Sequence, residues 1–399
     1  MNNIVYKHAI EVTKLILIRA SSLGLMAFVL LFLTVSGGLS DVGTFSAATA
    51  VTAPIAMFLV FRYVEWISLA TDPVKAFSES TSVAITGFIL ACPFIYWGLA
   101  GWIRDHLFIK LLLIYKPFEI ISDLIVTLHA ARNKRLIALI SAYVRLFGVI
   151  ALSILFVYGL KIKPLHGVVV ALLTSYVTTF LLYDMPILRR FGLFILPNAS
   201  ESVNYIRFNF SYGLLNLAVT LNSSMPRYFL AFQQDLKSLG LYSLLYQVAA
   251  TGVNIIQYPL SIKVKAVYRL IRENIYKIRV SLVLGAMLTL SACVGSALGW
   301  IPSLQPNVGG WGRILYIVLI GFMFLPLLLR GALITSAIGA ARGEKLYSIL
   351  ATSMVISIFI VGASYRFGTA EGGLVLACAY VSASSIVTSW YLLPRLAGA

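Results

Sequence analysis

The sequence predicts an all-α, polytopic integral membrane protein with twelve transmembrane helices in two pseudo-symmetric six-helix bundles. Composition, the spacing of apolar stretches and an internal repeat predict it. Of the 399 residues, 60% are hydrophobic and 11% are charged, and the mean hydropathy is +0.93. Soluble domains are roughly half apolar and a quarter charged. The charged residues are therefore too few to cover a soluble globule of this size.

Twelve apolar stretches are long enough to cross about 30 Å of hydrocarbon as helices. Turn-forming residues separate them, for example Ser36–Gly38 and Pro306–Gly310. The predicted spans are 15–36, 43–69, 81–101, 106–130, 136–159, 164–188, 208–231, 238–261, 280–300, 313–335, 346–365 and 370–393. The connections that remain leave no room for a soluble catalytic domain.

The net charge of +17 reports how the chain is oriented in the membrane. Cytoplasmic loops of membrane proteins carry an excess of Lys and Arg. With both termini in the cytoplasm, most bases outside the spans fall on the cytoplasmic side. The exceptions are Arg104, Lys161, Lys163, Lys237, Arg313 and Arg366. The excess of basic over acidic residues is thus explained by membrane topology and by contact with anionic lipid headgroups. No nucleic acid is expected as a partner.

Short stretches in the first half of the chain recur in the second. Leu39–Ser46 matches Leu236–Ser243 at the start of the second and eighth spans, and 130–136 matches 340–346 at the end of the fourth and tenth. Each match pairs a span with the span six later, so we expect residues 1–200 and 201–399 to form two six-helix bundles. Parallel repeats of this kind are typical of secondary transporters. The alternative is a helical bundle with a structural role.

The fourth span carries three charged residues on one helical face. Lys116, Glu119 and Asp123 are spaced i, i+3 and i+7, and such a face avoids lipid. Glu119 and Asp123 are candidates for coupling transport to H⁺ or Na⁺, and Lys116 is a candidate for substrate binding. Alternatively, Lys116 and Glu119 pair within the helix and serve packing.

Arginines inside the spans are candidates for binding an anionic ligand. Arg19, Arg145 and Arg227 lie in the first, fifth and seventh spans. The planar guanidinium group binds phosphate oxygens in a bidentate way, so these side chains suit a lipid-linked diphosphate. The alternatives are interhelical pairing with Asp184 or Glu65 and, for Arg19, snorkelling to the headgroups.

The seventh and eighth spans contain amides and tyrosines, including Gln247, Tyr242 and Tyr246. Such side chains could hold sugar hydroxyls in a cavity, or could form hydrogen bonds between helices. Gln247 is a candidate substrate-binding residue on the first interpretation.

The motifs of common catalytic sites are absent from the sequence. The four histidines and three cysteines have no metal-ligand spacing, and there is no Walker motif or Gly-x-Ser-x-Gly elbow. We therefore expect no catalytic residues, no metal and no bound cofactor. A membrane-embedded glycosyltransferase or polymerase is the alternative from a different class.

Four stretches resemble a known family. Pro226–Leu230 with Asp235–Gln247, Leu39–Ser46 and Ala131–Arg135 are similar to the polysaccharide transporters that flip lipid-linked O-antigen and other repeat units. That family belongs to the multidrug/oligosaccharidyl-lipid/polysaccharide (MOP) exporter superfamily, together with multidrug exporters and lipid II flippases.

The resemblance implies a MATE-like fold, with two bundles forming a V around a cationic lumen through which an undecaprenyl-diphosphate head passes. Arg19 and Arg227 stand where relatives often carry bases, whereas Gln247 stands where many carry Lys or Arg. The implied function is a flippase of the bacterial inner membrane that moves a lipid-linked oligosaccharide by alternating access. Its partners would be the lipid bilayer, a polysaccharide polymerase and a chain-length regulator. A cation-coupled multidrug exporter of the same superfamily is the alternative.

Overall fold

The structure is a computed structural model. It describes residues 2–60, 72–132, 134–190, 199–233, 235–262, 273–297 and 373–397, together with 269, 318, 320–321, 323–333, 352–356 and 358–359. Some side chains within these ranges, including that of Arg19, lie outside the described part.

The chain divides into two compact units, Met1–Leu217 and Ala218–Ala399. The described helices that lie wholly within unit 1 are α1 (Asn2–Ser36), α2 (Leu39–Val60), α3 (Pro73–Ala100), α4 (His106–Ala131), α5 (Arg135–Ile154), α6 (Pro164–Thr179) and α7 (Met185–Arg190). Two π-helical turns, Leu155–Gly159 and Phe180–Asp184, follow α5 and α6.

Helix α8 (Ala199–Phe232) begins in unit 1 and ends in unit 2. Unit 2 also contains α9 (Leu236–Ile262), α10 (Ile275–Ala297), α11 (Met323–Leu333) and α12 (Gly373–Ala397). The predicted division at residue 200 into two bundles of six helices stays a prediction.

Six described helices are long and apolar enough to cross a membrane. They are Ile16–Ser36, Leu39–Val60, Val74–Ala100, Arg135–Gly159, Pro164–Arg189 and Leu374–Leu392. The prediction of an all-α, multi-pass membrane protein is thereby confirmed. The predicted spans 313–335 and 346–365 lie only partly within the described residues.

Capping residues fix helix ends that hydropathy does not mark. Helix α3 begins at Pro73, well before the predicted residue 81, because Asp72 accepts hydrogen bonds from the N–H groups of Val74 and Lys75 at 2.9 and 3.2 Å. Helix α1 ends where Gly38 adopts a φ of 87°, which an L side chain rarely tolerates.

In unit 1, α4 packs against α3, α5 and α6, and α1 packs against α5. Small residues bring α5 and α6 close together. A Cβ atom on Gly148 would lie 2.5 Å from Ser175 Oγ, and one on Gly167 would lie 2.7 Å from Val157 Cγ2. This close approach places the polar side chains of α4, α5 and α6 within contact distance.

In unit 2, α12 packs against α9 and α10. Its buried face is centred on Leu376, Ala379 and Tyr380, against which Met225 and Phe229 of α8 pack. Helix α12 thus forms much of the described core of unit 2 and holds Tyr380 inside it.

Candidate functional site

Polar and charged side chains form two clusters inside the helices. We call the cluster in unit 1 the paired network; its residues are Tyr115, Lys116, Glu119, Ser141, Arg145, Tyr176 and Asp184. We call the cluster in unit 2 the arginine–tyrosine cluster; its residues are Arg227, Tyr242, Tyr246, Arg330 and Tyr380.

The charges of α4 pair within the helix. Lys116 Nζ donates to Glu119 Oε2, and the side chains are 5% and 19% exposed. The ammonium group of Lys116 also lies 5.6 Å from the centre of the Tyr115 ring. Lys116 and Glu119 are therefore paired within the helix, as the alternative interpretation of the sequence proposed. The role of Lys116 in substrate binding stays a prediction.

Arg145 has a carboxylate partner from another helical segment. Its Nη2 atom lies 3.7 Å from Asp184 Oδ2, and the two side chains are 5% and 1% exposed. Ser141 Oγ donates to Asp184 Oδ1 at 2.7 Å, and Arg145 donates to the same Ser141 hydroxyl. Asp184 is the last residue of the second π-helical turn, which inserts an extra residue into the helix and so changes the direction of the side chains that follow.

Two tyrosines connect the ion pairs. The rings of Tyr115 and Tyr176 meet edge to face, with centroids 5.3 Å apart, and the guanidinium group of Arg145 lies 5.7 Å from the Tyr176 centroid. The sequence predicted Lys116 and Glu119 on one face of the fourth span and Arg145 separately in the fifth, and the structure places the three in one network across α4, α5 and α6. Neither tyrosine was predicted, because a buried tyrosine in an apolar helix carries no distinguishing sequence pattern.

Asp123 lies one turn beyond Glu119 and differs from it in exposure. Its side chain is exposed on unit 1, and it has an electrostatic interaction with Tyr115 and Tyr176. Of the two predicted ion-coupling residues, Glu119 is bound to Lys116 and Asp123 is accessible. Their coupling roles stay predictions.

In unit 2, Arg227 packs on aromatic rings. Its guanidinium group lies 5.2 Å from the centre of the Tyr246 ring, which stacks on Tyr242 at 6.0 Å with an interplanar angle of 27°. The Nε atom of Arg227 and the hydroxyl group of Tyr242 are both buried, and neither has a hydrogen-bond partner within the described residues. Both groups are therefore able to donate to an acceptor that binds there.

Arg330 is a second cationic residue of the arginine–tyrosine cluster, and the sequence did not identify it as a candidate site residue. It interacts electrostatically with Tyr242, Tyr246 and Tyr380, and the hydroxyl group of Tyr380 donates to Asn222 Oδ1 at 2.9 Å. Its position near the end of the tenth predicted span placed it among the cytoplasmic bases. Its location inside the apolar run 325–334 was the signal that could have identified it.

The two clusters differ in charge balance. In the paired network, Lys116 and Arg145 each have a carboxylate partner. Among the residues that the structure describes, neither Arg227 nor Arg330 forms an ion pair with an Asp or Glu side chain. The arginine–tyrosine cluster is thus chemically suited to an anion.

Gln247 and Arg19 are the remaining predicted site residues. Gln247 Nε2 donates to Thr251 Oγ1 of the same helix at 3.3 Å. The backbone of Arg19 lies in α1, whereas its side chain is outside the described part, as is Glu65. Within the described ranges, no group of three or more His, Cys, Asp and Glu side chains is placed to hold a metal ion.

No protein-family profile matches the sequence, and no curated protein is similar to it in sequence. Solved structures do resemble it in fold. A MATE transporter of Vibrio cholerae matches with a TM-score of 0.58 at 12% identity, over 96% of this chain and 95% of its own. A multidrug resistance MATE transporter of the MOP superfamily, in an outward-facing conformation, matches with a TM-score of 0.60 at 13% identity, over 97% and 94%.

A MOP superfamily transporter from Pyrococcus furiosus matches with a TM-score of 0.58 at 12% identity, over 97% of this chain and 94% of its own. For that protein, the reverse polarity of the binding pocket suggests a different function. At these identities the likeness establishes the fold, which is MATE-like.

Proposed function

We propose that the protein is a flippase that moves a polyprenyl-diphosphate-linked oligosaccharide, such as an O-antigen repeat unit, across the bacterial inner membrane by alternating access. One observation carries this proposal. Arg227 and Arg330 lie among buried tyrosines, and neither forms an ion pair with a carboxylate among the described residues. The MATE-like fold supplies the transport architecture.

A cation inside a membrane helix is unfavourable by about 2.5–3.5 kcal/mol on insertion scales, so such residues normally have a partner or face a water-filled cavity. A diphosphate group supplies negative charge and several acceptor oxygens. Guanidinium groups bind phosphate through paired hydrogen bonds, and tyrosine hydroxyls add further donors. We assign Arg227 and Arg330 to the diphosphate, with the free hydroxyl group of Tyr242 as an additional donor.

We assign a different role to the bases of unit 1. Lys116 and Arg145 already have carboxylate partners, so in our proposal Lys116 is neutralised within α4 and Arg145 joins α5 to the π-helical turn that follows α6. Asp123, the accessible carboxylate, is the proposed coupling site for H⁺ or Na⁺. The predicted contributions of Arg19 and Gln247 to substrate binding remain part of the proposal.

A cation-coupled multidrug exporter is the second candidate. The likeness to a multidrug resistance MATE transporter favours it, as does the accessible carboxylate of Asp123. The arginine–tyrosine cluster argues for the flippase, because two guanidinium groups that have no carboxylate partner among the described residues repel a cationic drug and attract a phosphate.

Reconstitution in liposomes tests the proposal and separates it from its rivals. Purified protein is incubated with a labelled polyprenyl-diphosphate oligosaccharide, and both the orientation and the chemical identity of the label are measured. Reorientation of unchanged substrate supports a flippase. A new covalent product would indicate a transferase or polymerase, and cation-driven efflux of a cationic drug without reorientation would indicate a drug exporter.

A further inference from the structure

A buried histidine lies near the C-terminal end of α4, just before the connection to α5. His129 is fully buried, two residues before α4 ends, and neither ring nitrogen has a hydrogen-bond partner within the described residues. Buried polar groups in proteins are nearly always hydrogen-bonded. An imidazole without a partner is therefore a sign that a ligand or an ion completes the site.

Basic residues surround this histidine. His129 interacts electrostatically with Arg132, Lys134 and Arg145, and the Nη1 atom of Arg132 is buried without a hydrogen-bond partner within the described residues. Lys134 immediately precedes α5, and Arg135 is its first residue. His129, Arg132, Lys134 and Arg135 form what we call the α4–α5 basic site. The two acidic groups of the adjoining paired network, Asp184 and Glu119, are paired with Arg145 and Lys116.

The start of α5 is an electrostatically suitable place for an anion. The N-terminus of a helix carries a partial positive charge and N–H groups that lack intrahelical acceptors. Helix α5 begins without a side-chain cap, and its N-terminus coincides with Lys134 and Arg135. Bases at this end add to the dipole's positive charge, whereas an anion bound there would compensate the bases and the N–H groups together.

The surface of α5 indicates that the anion belongs to a lipid. Leu136, Ile140, Val144 and Phe147 are exposed, and their spacing of three and four residues places them in one stripe that leads from the basic site along α5. A lipid has the matching form, a phosphate joined to an apolar chain. Basic pockets between transmembrane helices on the cytoplasmic side, where this site is predicted to lie, bind anionic headgroups.

We propose that the α4–α5 basic site binds the phosphate of an anionic membrane phospholipid, whose acyl chain lies along the exposed stripe of α5. Arg132 and Lys134 bind the phosphate oxygens, and the ring of His129 donates a hydrogen bond to one of them. This proposal does not depend on the transported substrate.

The test is a titration of the full-length protein in detergent with phosphatidylglycerol, with binding followed by native mass spectrometry. We expect one phosphatidylglycerol to bind more tightly than phosphatidylcholine. The double variant R132Q/K134Q should bind it about tenfold more weakly or worse, because two charge-assisted contacts are lost. The matched control is K277Q/R279Q, which removes two exposed bases of α10 and should leave the affinity unchanged.

A His129→Leu variant guards against a folding artefact. It removes an unpartnered buried imidazole, so we expect unchanged or higher thermal stability together with weaker phosphatidylglycerol binding. The proposal is overturned if R132Q/K134Q binds phosphatidylglycerol as tightly as the unaltered protein, or no more weakly than K277Q/R279Q. It is also overturned if inorganic phosphate binds as tightly as the lipid, since the site would then serve soluble anions.

Discussion

Arg145 of α5 and Asp184 of the second π-helical turn form an ion pair at 3.7 Å inside unit 1, with Ser141 hydrogen-bonded to both. Both side chains are shielded from water. Removing one partner of such a pair leaves an uncompensated buried charge, whereas replacing both partners with apolar residues is often neutral. This asymmetry allows the structural role of the pair to be measured.

Asp184→Asn should destabilise the protein by about 3–5 kcal/mol, because Arg145 then lacks its carboxylate partner. The double variant R145M/D184L should recover most of that loss. Chemical denaturation of the purified protein in detergent measures both effects. Equal stability of Asp184→Asn and the unaltered protein would contradict the assignment of Arg145 to a structural pair.

Arg227→Gln should weaken binding of a short prenyl diphosphate by roughly ten- to a hundredfold, since one charge-assisted hydrogen bond contributes about 1.5–3 kcal/mol. The affinity of Arg227→Lys should lie between those of Arg227→Gln and the unaltered protein, because lysine keeps the charge but lacks the planar guanidinium group. Isothermal titration calorimetry gives the affinities. Lys237→Gln, which removes an exposed base at the start of α9, is the control expected to bind normally. Unchanged affinity in Arg227→Gln would exclude this residue from the diphosphate site.

Asp123→Asn should abolish the response of transport to an imposed H⁺ or Na⁺ gradient while leaving the affinity for substrate unchanged. The neutral amide cannot carry a proton and is a poorer Na⁺ ligand. Transport rates in liposomes with and without each gradient are the measurement, and Glu273→Gln, at another exposed carboxylate, is the control. A gradient response that persists in Asp123→Asn would rule out this carboxylate as the coupling site.

Asp105, in the connection before α4, should make the stability of the protein depend on pH. Burial by itself would raise the pKa of this carboxyl group, but the hydrogen bond from the Phe108 N–H and the neighbouring His166 ring, whose Nε2 atom lies 2.8 Å from Asp105 Oδ2, lower the pKa below its usual value of 3.8. A lowered pKa contributes stability that is complete above pH 3.8 and is lost as the pH falls through the folded-state value.

The melting temperature of Asp105→Asn should therefore lie below that of the unaltered protein at pH 7, and the difference should shrink as the pH falls below 3.8. Thermal unfolding in detergent at several pH values measures it. A difference of the same size at pH 7 and pH 3 would show that the charge of Asp105 does not matter.

The helices were largely predictable from the sequence because a membrane span needs about 20 apolar residues, which hydropathy detects directly. Helix starts were less predictable. The beginning of α3 depends on the cap at Asp72 and on Pro73, which lie outside the apolar stretch. The i, i+3 spacing of Lys116 and Glu119 anticipated their pairing, since both residues lie on one helix.

Contacts between helices were harder to predict. The pairing of Arg145 with Asp184 was one of two alternatives, and the sequence could not select it because the choice depends on a π-helical turn. Arg330 was missed because hydropathy gives the approximate depth of a residue but not the neighbours that its side chain meets. The grouping of Tyr242, Tyr246 and Tyr380 around it depends on the packing of α9 against α12.

In the proposed transport cycle, the arginine–tyrosine cluster receives the diphosphate head. The most direct measurement compares the rate at which a fluorescent polyprenyl-diphosphate oligosaccharide changes leaflet in liposomes containing the unaltered protein, the double variant R227Q/R330Q or the control Lys237→Gln. We expect saturable reorientation by the unaltered protein and the control, and a rate in the double variant close to that of protein-free liposomes. Full activity of the double variant, or no reorientation above protein-free liposomes with the unaltered protein, would contradict this expectation.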